Sequence, residues 1–227
     1  MQRVKPRILL SWSSGKDSAW ALHVLRQSNE WDIVGLVTTV NTAFGRVSMH
    51  GVREDLLEQQ AQAAGLPLWK VPIPYPCPNE VYESAMRDLI RRAKDDGITH
   101  FAFGDIFLQD VRDYRERQLA GTGITPVFPL WGTDTRMLAQ QMIAGGLRAV
   151  LTCVDSRQIP ASLIAHEFDI MLLQQLPPSA DPCGENGEYH TFCYDGPMLA
   201  CSIPVQTGEV VERDGFVYVD VLALFQR

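Results

Sequence analysis

The sequence predicts an α/β protein: a doubly wound parallel sheet comes first and a smaller unit of helices and strands follows. Short apolar runs alternate with segments that are apolar at helical spacing, which is the rhythm of strand–helix–strand units. The first unit breaks at small polar residues, Ser13-Ser14-Gly15-Lys16-Asp17-Ser18, where a strand hands over to a helix. Beyond residue 106 the rhythm changes, and a boundary near residues 121–126 separates a first domain, 1–123, from a second, 124–227.

Residues 8–12 (ILLSW) read as a buried strand, and residues 19–25 as the helix after it. Residues 33–40 (IVGLVTTV) are β-branched and form a second strand, followed by a polar loop over 41–49. His50-Gly51-Val52-Arg53 opens a helix that Gly65 and Pro67 stop, and His50 itself is read as a surface or capping residue. Residues 68–73 (LWKVPI) make a short third strand. Asn79 caps a helix over 80–94, and residues 100–103 form the fourth strand. A charged helix over 109–119 carries Arg112, Arg115 and Arg117 on what reads as a solvated face. A helix over 133–144 and a strand over 148–154 come next. The chain closes with a loop over 181–197 and strands over 199–205 and 216–224, separated by turns at Thr207-Gly208-Glu209 and Arg213-Asp214-Gly215.

A strand that ends in serines and glycine and restarts as a helix points backbone N–H groups into the gap, at the positive end of the helix dipole. Residues 13–18 are therefore an anion cradle. Ser13, Ser14 and Ser18 add hydroxyl donors, Gly15 allows close approach, and Lys16 brings a charge suited to phosphate. Asp17 fits as a Mg²⁺ ligand or a cap, and both Lys16 and Asp17 are expected to face solvent. In a doubly wound sheet ligands collect at C-terminal strand ends, which also brings Thr38 and Gly104-Asp105 to the site. The end of the second strand is placed to meet an adenine, and Asp105 to hold Mg²⁺ or a ribose hydroxyl, or simply to form a turn. A Walker A loop is excluded because Leu10 and Asp17 stand where glycine and Ser/Thr are needed. A GxGxxG loop is excluded because Pro126 follows Gly121 and Gly123.

The chain has 227 residues and a net charge of −7, and it contains no Lys/Arg run, which argues against a nucleic-acid partner. Five cysteines without a CxxC pair read as reduced thiols. No signal peptide or membrane span is legible, so a cytoplasmic location is the default expectation. Within 181–197, alternating glycines and acids suit a binding loop, in which Glu185, Glu188 and His190 would supply a general base or bind a polar substrate. A plain connection with its acids in water is the competing account.

The loop at residues 13–18 resembles the SGGxDS signature of PP-loop ATP pyrophosphatases, with Ser14 in place of the second glycine. With FGDI at 103–106, YRE at 114–116, PLW at 129–131 and GENGEYHT at 184–191, the ordered set resembles the diphthine ammonia ligase family. The resemblance implies an adenine nucleotide alpha hydrolase (HUP-type) domain carrying the PP-loop, followed by a family-specific substrate domain. It also implies ATP-dependent amidation, in which a carboxylate is adenylated, pyrophosphate leaves and ammonia displaces AMP. On this reading Lys16, Asp17, Glu185, Glu188 and His190 are catalytic, and residues 13–18, Thr38, Gly104 and Asp105 bind ATP, with Asp17 and Asp105 on Mg²⁺. The partners implied are ATP, a carboxylate acceptor on a small molecule or protein side chain, and ammonia; a homodimer is open, and neither a membrane nor a nucleic acid is expected. A PP-loop nucleotide hydrolase or RNA-modifying enzyme, and an ATP-binding module without chemistry, remain open alternatives.

Overall fold

A computed structural model describes residues 4–43, 45–47 and 51–224; His50 lies outside them. In chain order the elements are β1 (Arg7–Ser11), α1 (Lys16–Ser28), β2 (Asp32–Asn41), β3 (Arg46–Val47), α2 (Glu54–Ala64), β4 (Leu68–Ile73), α3 (Asn79–Asp95), β5 (His100–Ala102), α4 (Gln109–Leu119) and β6 (Thr125–Val127). There follow α5 (Thr135–Ala144), β7 (Arg148–Asp155), α6 (Ile170–Gln175), β8 (Tyr189–Asp195), β9 (Val205–Arg213) and β10 (Phe216–Ala223).

The first sheet is parallel in the order β4-β2-β1-β5-β6, and β3 adds antiparallel to the end of β2. From β1 the chain steps outward through β2 to β4, then returns to β5 on the other side. The strand order therefore reverses between β1 and β5, and the crevice at their C-terminal ends is where such sheets take ligands. β1 is a continuous apolar run because both its faces are covered. Ile8 and Leu10 face the cluster holding Leu22 and Leu36, while Leu9 faces Trp69 and Phe101. The second sheet is antiparallel, in the order β8-β7-β10-β9. A Rossmann-like parallel sheet followed by a smaller α/β region is thus the observed fold class, and one buried cluster runs through both parts, from Leu10 and Leu57 to Leu151 and Phe192.

Several sequence expectations are corrected. Residues 189–195 are strand β8 rather than loop, since Tyr189, Thr191, Phe192 and Cys193 are all buried against the core. Thr207-Gly208-Glu209 is no turn: β9 runs through it, with Gly208 and Glu209 bulged opposite Asp220. Strand structure begins only at Val205, so the expected strand over 199–205 is absent. Asn79 is already helical, and Pro78 holds the cap position. The segment 41–49 contains β3.

Asp220 on β10 ties the second sheet to the first. It accepts hydrogen bonds from Arg53 at 2.6 and 3.0 Å and from Arg46 at 3.0 Å, and these partners, the Arg53 bond above all, lower its pKa. A bidentate, partly shielded pair of this kind is worth more than a solvated one. Asp220→Ala is expected to cost about 1 kcal/mol in urea denaturation at neutral pH. Because the folded-state pKa is depressed, this contribution is present above the ordinary Asp range and is lost as pH falls through the lowered value, so wild type and variant should converge in acid.

Candidate active site

At the switch point two adjoining cavities open, each of about 410 Å³, and they share Ser11, Ser13, Phe103 and Arg115 in their walls. The first is mainly apolar, with Trp12, Val37, Thr38, Ile73 and Tyr82 around it. The second brings together Ser13, Gly15, Lys16, Asp17, Ser18, Gly104, Asp105, Glu185 and His190, nine of the residues singled out in the sequence. Thr38 belongs to the first cavity, with its Oγ1 donating to the Trp12 carbonyl at 2.5 Å. Ser14 and Glu188 line neither cavity.

Ser14 is fully buried and sits at φ 70°, the left-handed conformation for which glycine is suited. Its Oγ has no hydrogen-bond partner. Its carbonyl accepts from Cys193 N and Gln60 Nε2, both at 2.9 Å. Gly15 follows in close contact, since a Cβ there would lie 3.2 Å from the Thr191 carbonyl. With glycine in the cap position, α1 has no cap of its own, and Thr191 Oγ1 accepts from Lys16 N at 3.0 Å. Ser18 Oγ donates to the Gly15 carbonyl at 3.0 Å and lies 3.2 Å from Ser13 Oγ, which closes the loop on itself.

The expectation that Lys16 faces solvent is wrong. Its side chain is 2% exposed; Nζ donates to both Asp17 oxygens at 2.8 and 2.9 Å and to the Cys183 carbonyl, and stands over the Tyr189 and Phe168 rings. Burial is the largest influence and opposes its charge, but Asp17, Cys183 and Glu185 together outweigh it and the pKa is raised. Asp17 is partly exposed to the cavity. The tether from Cys183 arises because the segment 181–188 folds inward. Asp181 Oδ2 accepts from Cys183 N and Glu185 N at 3.0 Å, and Glu188 Oε1 accepts from Asp181 N at 2.7 Å. Glu188, 1% exposed, shapes this loop from behind the cavity wall.

Glu185 reaches across the cavity, where its Oε1 accepts from Ile106 N, just past β5, at 2.8 Å. Burial, opposed by that bond and reinforced by the Asp17 charge, raises its pKa to about 7. His190 goes the other way: burial, then the Lys16 charge, lowers it to about 4, so its imidazole is neutral at physiological pH. Asp105 lies 3.6 Å from Arg115, and both Asp105 Oδ2 and Arg115 Nε are buried without hydrogen-bond partners. Burial raises the Asp105 pKa, Arg115 lowers it, and the nearby Asp17 charge raises it further. No cluster of three or more metal-binding side chains exists among the described residues.

Arg115 is the functional candidate that sequence reasoning passed over. It sits at the junction of the two cavities because α4 crosses their mouth, with Val111 and Arg115 turned inward and Arg115 stacked on Phe103 at 5.1 Å. Its place in the YRE motif was the available signal.

A family model described as the diphthamide synthase N-terminal domain matches residues 6–125. The chain belongs to that family. Diphthine–ammonia ligases are its relatives at low identity. One, from Schizosaccharomyces pombe, is 32% identical over 95 residues, covering 40% of this chain and 16% of that protein. Another, from Bos taurus, is 24% identical over 184 residues, covering 74% of this chain and 68% of that protein. Among solved structures, a U34-tRNA thiolase from Methanococcus maripaludis aligns with a TM-score of 0.40 at 13% identity, covering 63% of this chain and 58% of that one. The matched segment of this diphthamide synthase family member holds the cradle, both cavity-forming strand ends and Arg115, while Glu185, His190 and Thr191 lie outside it.

Two substitutions test the cradle. Ser14→Gly removes both the left-handed strain and an unpartnered hydroxyl, and is expected to stabilise by about 1 kcal/mol in urea denaturation. Lys16→Ala leaves Asp17 and the Cys183 carbonyl without their buried donor and is expected to cost about 2–3 kcal/mol, read in the same way.

Proposed function

We propose that this protein is an ATP-dependent ligase that adenylates a carboxylate and amidates it with ammonia. One observation carries the reading: the anion cradle at 13–18 and the Glu185–Thr191 segment face each other across a single cavity, with an apolar pocket of base size adjoining it. The polyphosphate would lie on the cradle and the base in the apolar pocket, with the α-phosphorus at the junction beside Arg115. Family membership, and relatives named for diphthine and ammonia, support a carboxylate acceptor of that kind.

An acceptor oxygen attacks the α-phosphorus, the bond to the bridging oxygen breaks, and pyrophosphate leaves against Lys16 and the α1 terminus. Ammonia then attacks the acyl carbon, its surplus proton passes to Glu185, and AMP departs with the oxygen it was bonded to. A carboxylate poised near neutrality in the same cavity as a neutral imidazole suits this proton transfer. The Asp105 oxygen without a hydrogen bond and the neighbouring Asp17 carboxylate fit Mg²⁺, which takes one or two carboxylates plus phosphate oxygens. When bound, the ion would neutralise charge on the leaving pyrophosphate.

Incubation with ATP, Mg²⁺ and ammonium, with and without a diphthine-bearing protein, is the direct test. AMP and pyrophosphate are expected in equal amounts only when the acceptor is present; acceptor-independent AMP, or ADP and phosphate, would overturn the reading. In the coupled reaction kcat/KM should rise with pH through about 7, and Glu185→Gln should flatten that limb while leaving ATP affinity largely intact.

A further inference from the structure

Among the described residues β9 is the outer strand of the second sheet, bonded to β10 on one side only, and nearly all its residues are exposed, including Val210 at 51% and Val211 at 42%. A bare edge of this kind is a template for a further strand, and proteins usually blunt it. Here the blunting is partial. The bulge at Gly208-Glu209 kinks the strand, but from Glu209 to the Asp214-Gly215 turn the edge runs straight.

The turn fixes which backbone groups are free. Asp214 and Gly215 both have positive φ, 53° and 82°, so this is a two-residue hairpin closed by the bonded pair Arg213 and Phe216. Bonding alternates along an antiparallel ladder. Val211 therefore bonds to Tyr218, while Val210 and Glu212 turn their N–H and C=O groups outward.

We propose that this edge pairs antiparallel with the same edge of a second copy, about a two-fold axis at Val211. In that register Val210 faces Glu212 of the second copy and the reverse, which satisfies all four outward N–H groups and all four carbonyls. On the side-chain face, Val211 meets its counterpart and Glu209 meets Arg213 twice. The neighbouring registers that keep the bonding pattern lose this match: one sets Glu209 against Val211, another Glu212 against Glu212, and a third Glu209 against itself. Oppositely charged cross-strand pairs stabilise such a contact and like charges oppose it. The two four-stranded sheets become one of eight strands. Four residues of bonding and two ion pairs per dimer make a small interface, so the association is reversible and concentration-dependent.

Sedimentation equilibrium over a concentration series, with circular dichroism as a folding control, tests the pairing. Wild type should dimerise at the upper end of the series. Glu209→Arg alone and Arg213→Glu alone should each weaken association at least tenfold, and the two together should restore it, because the opposite charges face each other again. Val210→Pro removes an outward N–H and leaves the β9–β10 ladder intact, and should give a folded monomer. A wild-type protein that stays monomeric throughout, or a dimer indifferent to the single charge changes, would overturn the proposal.

Discussion

The side chain of Gln60, fully buried on α2, joins three parts of the chain that are far apart in sequence. Its Oε1 accepts from the Trp12 indole at 2.9 Å, and its Nε2 donates to the carbonyls of Ser14 and Cys193 at 2.9 and 2.6 Å. Every strong hydrogen-bonding capacity that matters here is used: one indole donor, two carbonyls and the amide itself. A buried network satisfied in this way fixes one arrangement, because losing any member strands the others in a medium without water. The cradle at 13–18 is thus held by the β8 strand and not only by the strand and helix that flank it. Lys16 N rests on Thr191 and the Ser14 carbonyl on Cys193 N. A parallel sheet whose 13–18 loop needs the second sheet for its backbone bonds forms one cooperative structure with it.

That dependence also sets the electrostatics. Asp17, Asp105 and Glu185 converge on a cavity whose walls, among the described residues, contribute Lys16 and Arg115 as cations. Burial raises the pKa of each acid, and in a low-dielectric pocket the like charges add to it. The strain is relieved in two ways: Lys16 is held charged against Asp17, and Glu185 stays near its protonation midpoint at neutral pH.

Much of this was legible in the letters. Residues 8–12 announced β1 because a strand buried on both faces needs no polar alternation, and the serines and glycine after it marked the turn into α1. Local signals failed where tertiary contacts decide the outcome. Lys16 reads as a solvent-facing side chain until Cys183, 167 residues later, supplies its carbonyl. Glu188 reads as a residue facing the cleft until its buried carboxylate is found holding the Asp181 amide. Gly208 looks like a turn residue and is a bulge, because Val205–Arg213 finds its partner in β10. Arg115 was hidden for the opposite reason: an arginine among many charges on one helix looks solvated, and only the crossing of α4 over the cavity selects it.

Ser14 is where sequence pattern and physics meet most closely. The signature calls for glycine, and the observed φ of 70° explains why: the chain must turn left-handed there to aim the following amides at the helix end. Serine tolerates this conformation at a cost of about 1–2 kcal/mol, and its carbonyl is held in place by Gln60 and Cys193. A residue forced into such a conformation persists only where its surroundings over-determine it. The departure at Ser14 therefore leaves the shape of the cradle intact, because the shape is imposed by the buried amide network and the glycine merely makes it cheaper. The letter most at odds with the signature is the one whose backbone is most tightly held.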